Sequence, residues 1–391
     1  MKTNDLKSVL KKNTMTIVLF AVYVFFIIAT NGRIFSAENF NNLIAQNAYV
    51  FILGAGMLMC MLTGGNIDLS CGSFVCVLGA IAGVLAVKWE LGTFPTLIII
   101  LAIGVLYGVV LGSLIAYLKI PPWIATLAGY LAFRGLGTEI LTRVSDTSAI
   151  TNFPKPLLDM FSGTLFKTDM DVLNIPCLAV GIIFAFIVVG LNILGRKGKI
   201  EKGYEAEPMW LLISKSVIEA AVIILVATML ALSGGIPVAL LWVIGVMVVY
   251  SFVCGKTTVG RHFMTVGGNA EAARLSGINN KLIMFAAYLN MAVLTVIASL
   301  LVTTRFQAAN SSAGTNFEMD AISACIVGGV SAYGGAGTVM GMVIGATLIG
   351  VINLGMSVMG IDQNWQKVVK GGVLLAAVVF DILTKKGNKR Q

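Results

Sequence analysis

The sequence predicts an all-α fold: a polytopic transmembrane bundle of roughly 10–12 helices, some short or broken at glycine turns. Three observations predict it. Hydrophobic residues make up 58% of the 391 and charged residues only 12%, where a soluble domain carries about 25% charge. Apolar runs of span length recur from end to end. They are continuous rather than alternating, which excludes barrel strands and leaves helices to satisfy the backbone in lipid.

Taken in order, the runs fall at 14–30, 43–62, 71–88, 94–118, 122–141, 175–194, 211–232, 237–254, 281–302, 321–333, 337–359 and 366–384. The first reaches about 26 Å as a helix, close to a hydrocarbon core of about 30 Å. It is long for a signal peptide and no small-residue cleavage site follows, so it reads as an anchor. Pro121 and Pro122 end one helix and open the next. The weak member is 321–333, at about 20 Å. Parity decides its reading. Basic residues stand at Lys2, Lys7, Lys11 and Lys12, at Arg196, Lys197, Lys199 and Lys202 in a link over 196–202, at Lys256, Arg261, Arg274 and Lys281, and at Lys385, Lys386, Lys389 and Arg390. The positive-inside rule puts all of them in the cytoplasm, so the number of crossings is even. Segment 321–333 must then be a short or broken helix that still reaches the cytoplasmic side.

The net charge of +9 is explained by topology and points to no nucleic acid. Six Cys lie in or beside apolar runs without a CxxC pair, and read as small hydrophobes. The single His and the lack of a His/Cys/carboxylate cluster argue against a metal site. Cys254-Gly255-Lys256-Thr257 resembles the end of a phosphate-binding loop, but Tyr250 stands where its first glycine belongs. No nucleophile–base set is present, so no catalytic residue, enzyme activity or cofactor is expected in this chain.

The stretch 260–277 is a polar island between apolar runs. Gly267-Gly268-Asn269 reads as a turn, with Asn269 capping a short helix that ends before Gly277. Glu271 and Arg274 suit the two ends of the helix dipole. Such a firm solvated helix serves either as a handle for another protein or as an ordinary loop. Two glycine turns resemble each other, one over 63–73 and one over 327–337, and suggest related halves. Gly104, Gly108 and Gly112, and again Gly337, Gly341 and Gly345, form flat ridges for close helix packing. Arg134 lies inside an apolar run and must face protein or water. The loop 142–174, with Asp146, Asp159, Asp169 and Asp171, is an outer docking face or a solvated connector. Asp68 caps the next helix with Ser70, or lines the path. Asn66, Phe306, Tyr333 and Asn353 are candidates to hydrogen-bond or stack on a polar solute. Asp68 and Asp320 are both expected near membrane surfaces, which disfavours ion coupling at the midplane.

Residues 64–73, 260–277, Glu318-Met319-Asp320-Ala321-Ile322 and 328–337 together resemble the ribose/xylose-type, multiple-monosaccharide permease subunits of bacterial ABC importers. The likeness covers nearly the whole chain. Cys71 stands where that family usually has Val, and Ala332-Tyr333 where Leu-Ala is common. An extra helical pair about 175–232 is similar to the xylose branch. The resemblance implies one permease domain over 1–391 in the bacterial inner membrane, with both termini cytoplasmic and seated in membrane lipid. It implies a second permease copy, a cytoplasmic ATP-binding cassette partner that hydrolyses ATP, and a periplasmic or lipid-anchored sugar-binding protein. It makes 255–280 the coupling loop, with Gly260, Arg261, Gly267, Gly268, Asn269, Glu271, Arg274 and Gly277 at the cassette. The alternative is an ion-coupled secondary sugar transporter.

Overall fold

The structure is a computed structural model that describes residues 14–168, 172–204 and 208–388. Lys2, Lys7, Lys11, Lys12, Asp169, Asp171, Lys389 and Arg390 lie outside the described residues, and of Lys385 and Lys386 only the backbone is described.

Fifteen helices are described: α1 Thr14–Ala29, α2 Ala37–Leu62, α3 Cys71–Gly83, α4 Thr93–Ala116, α5 Pro122–Val144, α6 Lys155–Ser162, α7 Ile175–Glu201, α8 Met209–Leu232, α9 Val238–Lys256, α10 Thr258–Gly268, α11 Ala270–Leu275, α12 Asn280–Phe306, α13 Phe317–Val327, α14 Val339–Val358 and α15 Gln363–Asn388. Every anticipated apolar segment lies on one of them. Polar caps start many: Ser36, Asn174, Thr257, Asn279 and Thr338 each accept a hydrogen bond from a first-turn amide, satisfying donors the helix itself cannot. Eight helices among the described residues are long and apolar enough to cross a membrane, α3 being counted together with the π-helical turn Val84–Lys88 that continues it.

Burial sorts them into an inner and an outer ring. The apolar windows of α2, α3, α12 and α14 are 72, 78, 67 and 72% buried, against 33% for α4, 22% for α9, 17% for α8 and 11% for α7. Helix α2 is the axis. From Asn47 to Leu62 nearly every side chain is buried, against α12, α13, α14 and α9. The glycine ridges do what their spacing suggests. Gly104, Gly108 and Gly112 lie on α12 at Val296, Leu289 and Phe285, and Gly345 lies on the α13 backbone at Ala324. Helices α7 and α8 form a peripheral hairpin.

Two ends of the bundle are distinguishable. At one end, the ladder face, β1 Ala149–Thr151 pairs antiparallel with β4 Ala308–Asn310, and β2 Thr164–Leu165 with β3 Ile236–Pro237. The loop 142–174 is therefore not an extended connector. It folds back through α6, where Phe161 stacks on Trp242 at 5.1 Å and Trp242 Nε1 donates to the Met160 carbonyl at 3.0 Å. At the other end, the turn face, 63–70, 258–279 and 331–335 meet. Segment 321–333 is the short, broken helix expected. Helix α13 covers about 16 Å, and irregular backbone carries the chain on until the Gly335 amide donates to the Leu62 carbonyl at 3.1 Å. Its freed groups are bonded within protein: Val330 N to Cys325 O at 2.9 Å and Ser331 N to Ala336 O at 2.8 Å. That is the condition for non-helical backbone at membrane depth.

Two local readings change. The basic link over 196–202 is not a loop, because α7 runs on to Glu201 and carries Arg196, Lys197 and Lys199 in its last turns. Gly267 and Gly268 are not a turn either. They close α10, and Asn269 alone separates it from α11.

Close packing of the ridge has a measurable consequence. A Cβ at Gly108 would sit 2.9 Å from Leu289 Cα, whereas one at Gly245 meets nothing within 4 Å. Gly108→Leu should destabilise the detergent-solubilised protein by about 1–3 kcal/mol, as overpacking does. Gly245→Leu should stay within about 0.5 kcal/mol. Thermal unfolding of both variants checks the contrast.

Candidate coupling surface and path

Three glycine-rich segments touch backbone to backbone at the turn face. A side chain at Gly267 has no room: its Cβ would lie 2.7 Å from Gly335 N, 2.8 Å from Gly64 N and closer still to the Leu62 carbonyl oxygen. Gly334 stands against Gly64, and Gly65 against the Ala332 carbonyl. Gly65, Gly334 and Gly335 have φ of 75°, 84° and 74°, the left-handed region that glycine enters without steric cost. The two turns that look alike in sequence are therefore packed on each other, with the end of α10 completing the contact.

Beyond Gly267 the chain projects outward. Asn269 Oδ1 accepts from the amides of Glu271 and Ala272 at 3.1 and 3.0 Å. Gly277, at φ 83°, ends α11. Its amide donates to Arg274 O, and Ile278 N donates to Ala273 O, each at 3.0 Å, the paired bonds of a Schellman stop. Arg274 holds Glu271 through two contacts, 2.6 and 3.2 Å, and its guanidinium holds the Glu271 carboxyl below its usual range. Both side chains are about two-thirds exposed. Arg261 is also exposed, while Phe263, Val266 and Ala273 are buried. Gly260 packs on the Cys254 backbone. The surface is thus a short polar helix on an apolar root.

Asp68 is not a solvated surface carboxylate. It is 1% exposed. Its Oδ1 accepts from Ser70 N at 2.8 Å and Ser70 Oγ at 2.5 Å, and Ser70 Oγ accepts from Tyr107 at 2.7 Å. Ser70 occupies the cap position of α3 but makes no cap bond with its side chain; Asp68 fastens the turn instead. Burial pushes its carboxyl up to about 6 against the pull of the Ser70 donors. Asn66 is tied to Thr63 at 3.2 Å. Tyr333, by contrast, is 70% exposed.

Phe306 and Asn353 belong to a second place, a cavity of about 130 Å³ toward the ladder face. Tyr49, Arg305, Phe317 and Lys370 also line it. Asp320 lies beneath it at 2% exposure, where Lys370 Nζ bridges to Oδ2 at 3.0 Å and Tyr49 donates to the same oxygen at 2.6 Å. Tyr49 stacks on Phe317 at 3.6 Å. Asn353 Nδ2 donates to Asn47 Oδ1 at 3.3 Å. Aromatic faces beside amides and cations suit a polyhydroxylated solute. The six candidate path residues thus divide: Asn66, Asp68, Ser70 and Tyr333 at the turn face, Phe306 and Asn353 at the cavity. Tyr49 and Lys370 were missed, and Asp320 was noted without these partners. The available signal was Lys370, a cation inside an apolar segment that needs an acidic partner. Arg134 donates to the carbonyls of Ser311 and Ala313 at 3.1 and 2.9 Å.

Comparisons with known proteins agree with this architecture. The family model described as branched-chain amino acid transport system / permease component matches residues 39–378. A xylose transport system permease protein of Haemophilus influenzae is 37% identical over 388 residues, covering 97% of this chain and 99% of the relative. Its counterpart from Escherichia coli K12 is 34% identical, covering 95% and 92%. A ribose import permease protein of Haemophilus influenzae is 31% identical, covering 90% and 87%. No solved structure matches the chain.

Two outcomes test the geometry. The raised Asp68 carboxyl favours the folded protein while protonated, and that contribution is lost as pH rises from about 4 through about 6. Asp68→Asn should therefore gain on the wild type by about 3 kcal/mol between pH 4 and pH 7, read by thermal unfolding in detergent. Lys370→Met leaves a buried carboxylate unpaired and should cost about 3–5 kcal/mol. Adding Asp320→Asn should restore most of it.

Proposed function

The chain belongs to the permease family described as branched-chain amino acid transport system / permease component, and we propose that it is the membrane-spanning permease subunit of an ATP-binding-cassette importer for monosaccharides. The single observation that carries the reading is the end-to-end match to a xylose permease, 97% of this chain against 99% of the relative. Xylose, ribose and galactose permeases all stand among its relatives, so the substrate class is a monosaccharide. We read 1–391 as one transmembrane permease domain in the bacterial inner membrane with the turn face cytoplasmic, consistent with the basic residues at that end.

In this reading a separate cytoplasmic cassette hydrolyses ATP and docks on 255–280. Arg261, Asn269, Glu271 and Arg274 meet it. Gly260 and Gly277 shape the surface, and Gly267 and Gly268 pass its motion inward. The contact of Gly267 with Leu62, Gly64 and Gly335 supports this, because it links the exposed helix to the end of α2 and to the broken α13 segment without a compressible side chain between them. A second copy of the permease completes the path, with Asn66, Asp68, Ser70 and Tyr333 at its inner mouth and Phe306 and Asn353 at the outer cavity. A periplasmic or lipid-anchored sugar-binding protein delivers substrate to the ladder face. An ion-coupled mechanism is disfavoured, because Asp320 already holds Lys370 and Tyr49 and Asp68 holds Ser70.

Reconstituted vesicles test the reading. The chain should move monosaccharide only when cassette, binding protein and ATP are all present; uptake driven by a proton or sodium gradient alone would refute it. Glu271→Ala with Arg274→Ala removes an exposed ion pair that contributes little to folding. The double variant should insert normally yet bind the cassette roughly ten-fold more weakly. Unchanged binding and unchanged sugar-stimulated hydrolysis would remove the coupling role.

A further inference from the structure

The α7–α8 hairpin pairs the two least buried of the eight span-length helices and carries none of the candidate path or coupling residues. Helix α7 has 27 residues, about 40 Å, against a hydrocarbon core of about 30 Å. Its last turns therefore run past the acyl region into the headgroup layer. Between α7 and α8 lies a groove of about 420 Å³. Val189, Ile193, Leu212, Ile213 and Val217 form its apolar wall, and Arg196 and Lys197 stand at its turn-face end. A smaller cavity of about 150 Å³ shares Arg196 and Leu212 with this groove and adds Lys199 and Lys215. Over 196–215 the sequence carries five cations against three carboxylates, Glu201, Glu205 and Glu207. Glu205 and Glu207 lie outside the described residues, and Glu201 is the last residue of α7.

We propose that this groove is a binding site for one anionic phospholipid of the leaflet at the turn face, with an acyl chain between α7 and α8 and the phosphodiester against Arg196 and Lys197. Topology alone accounts for basic residues at a cytoplasmic helix end, but not for an apolar slot that opens directly beneath two of them. The order along the helix is the order of a lipid: cations at the depth of the headgroup, then about 12 Å of apolar wall from Lys197 to Val189. A guanidinium presents paired donors to phosphate oxygens, and basic pockets between transmembrane helices select anionic headgroups. A partner helix would meet the same apolar wall, but the two cations at its end complement a phosphodiester. The site does not depend on the transport reading.

Native mass spectrometry of the full chain in detergent tests it, with phosphatidylglycerol and phosphatidylcholine titrated in turn. Each cation near a membrane surface is worth roughly five-fold in affinity for anionic lipid. The wild type should therefore retain phosphatidylglycerol at least about five-fold better than phosphatidylcholine. Arg196→Gln with Lys197→Gln should bring the two lipids to parity, while Lys155→Gln at the ladder face leaves the preference intact. Ile213→Trp fills the slot with the cations unchanged and should lose both lipids; it carries the test should the double variant fold poorly. Inorganic phosphate at millimolar concentration should not displace the bound lipid. Equal retention by the wild type, a preference that survives either groove variant, or displacement by phosphate alone would overturn the site.

Discussion

The structure depends on a place where side chains are forbidden. At Gly267 the α10 backbone lies on the Leu62 carbonyl and on the amides of Gly64 and Gly335, so three chain segments share one contact. A packed interior resists compression, and this contact lacks even the rotamer freedom of an ordinary core. Whatever displaces α10 displaces the end of α2 and the tip of the 331–335 segment with it. The bundle around that point is built to support it. Helix α2 is buried along most of its length, and α13 is only half a span long, so that its successor backbone can reach the turn face.

The fold was legible because lipid imposes simple rules. Twelve apolar runs became helices where they were expected, since length and hydropathy decide a span almost alone. Parity and basic residues required 321–333 to reach the side of the basic loops, and the backbone after it meets 258–279 at the turn face. Boundaries beside charge were less legible. Arg196, Lys197 and Lys199 look like a link because charge usually ends a span, yet the helix continues through them into the interface. Gly267 and Gly268 look like a turn because glycine usually marks one; here its smallness matters, not its dihedral freedom. The loop 142–174 carries little periodicity, and its folding onto the ladder face is set by pairing with 236–237 and 308–310, contacts too remote in sequence to read.

The site was legible in part. Asn269 and Gly277 take the capping and stop roles their local spacing predicts, because those interactions span only a few residues; Glu271 and Arg274 stand at the two helix ends as expected and also pair with each other. The path candidates were chosen by residue type, and type says nothing about which end of the bundle a side chain reaches. Phe306 and Asn353 share the cavity, whereas Asp68 and Ser70 are fasteners of a turn. The Asp320–Lys370 pair joins residues fifty positions apart, and charge patterning within a helix could not reveal it.

The β1–β4 and β2–β3 ladders tie loops 142–174, 233–237 and 307–316 together at the far end from the glycine contact. A rod tethered at one tip and displaced at the other swings about the tether. In α12, which begins beside α11 and ends at β4, a push at the first turn would therefore move the last turn least. The ladders are placed as a fulcrum: the cavity lies at the tethered end of the bundle, and the glycine contact at the end without a ladder.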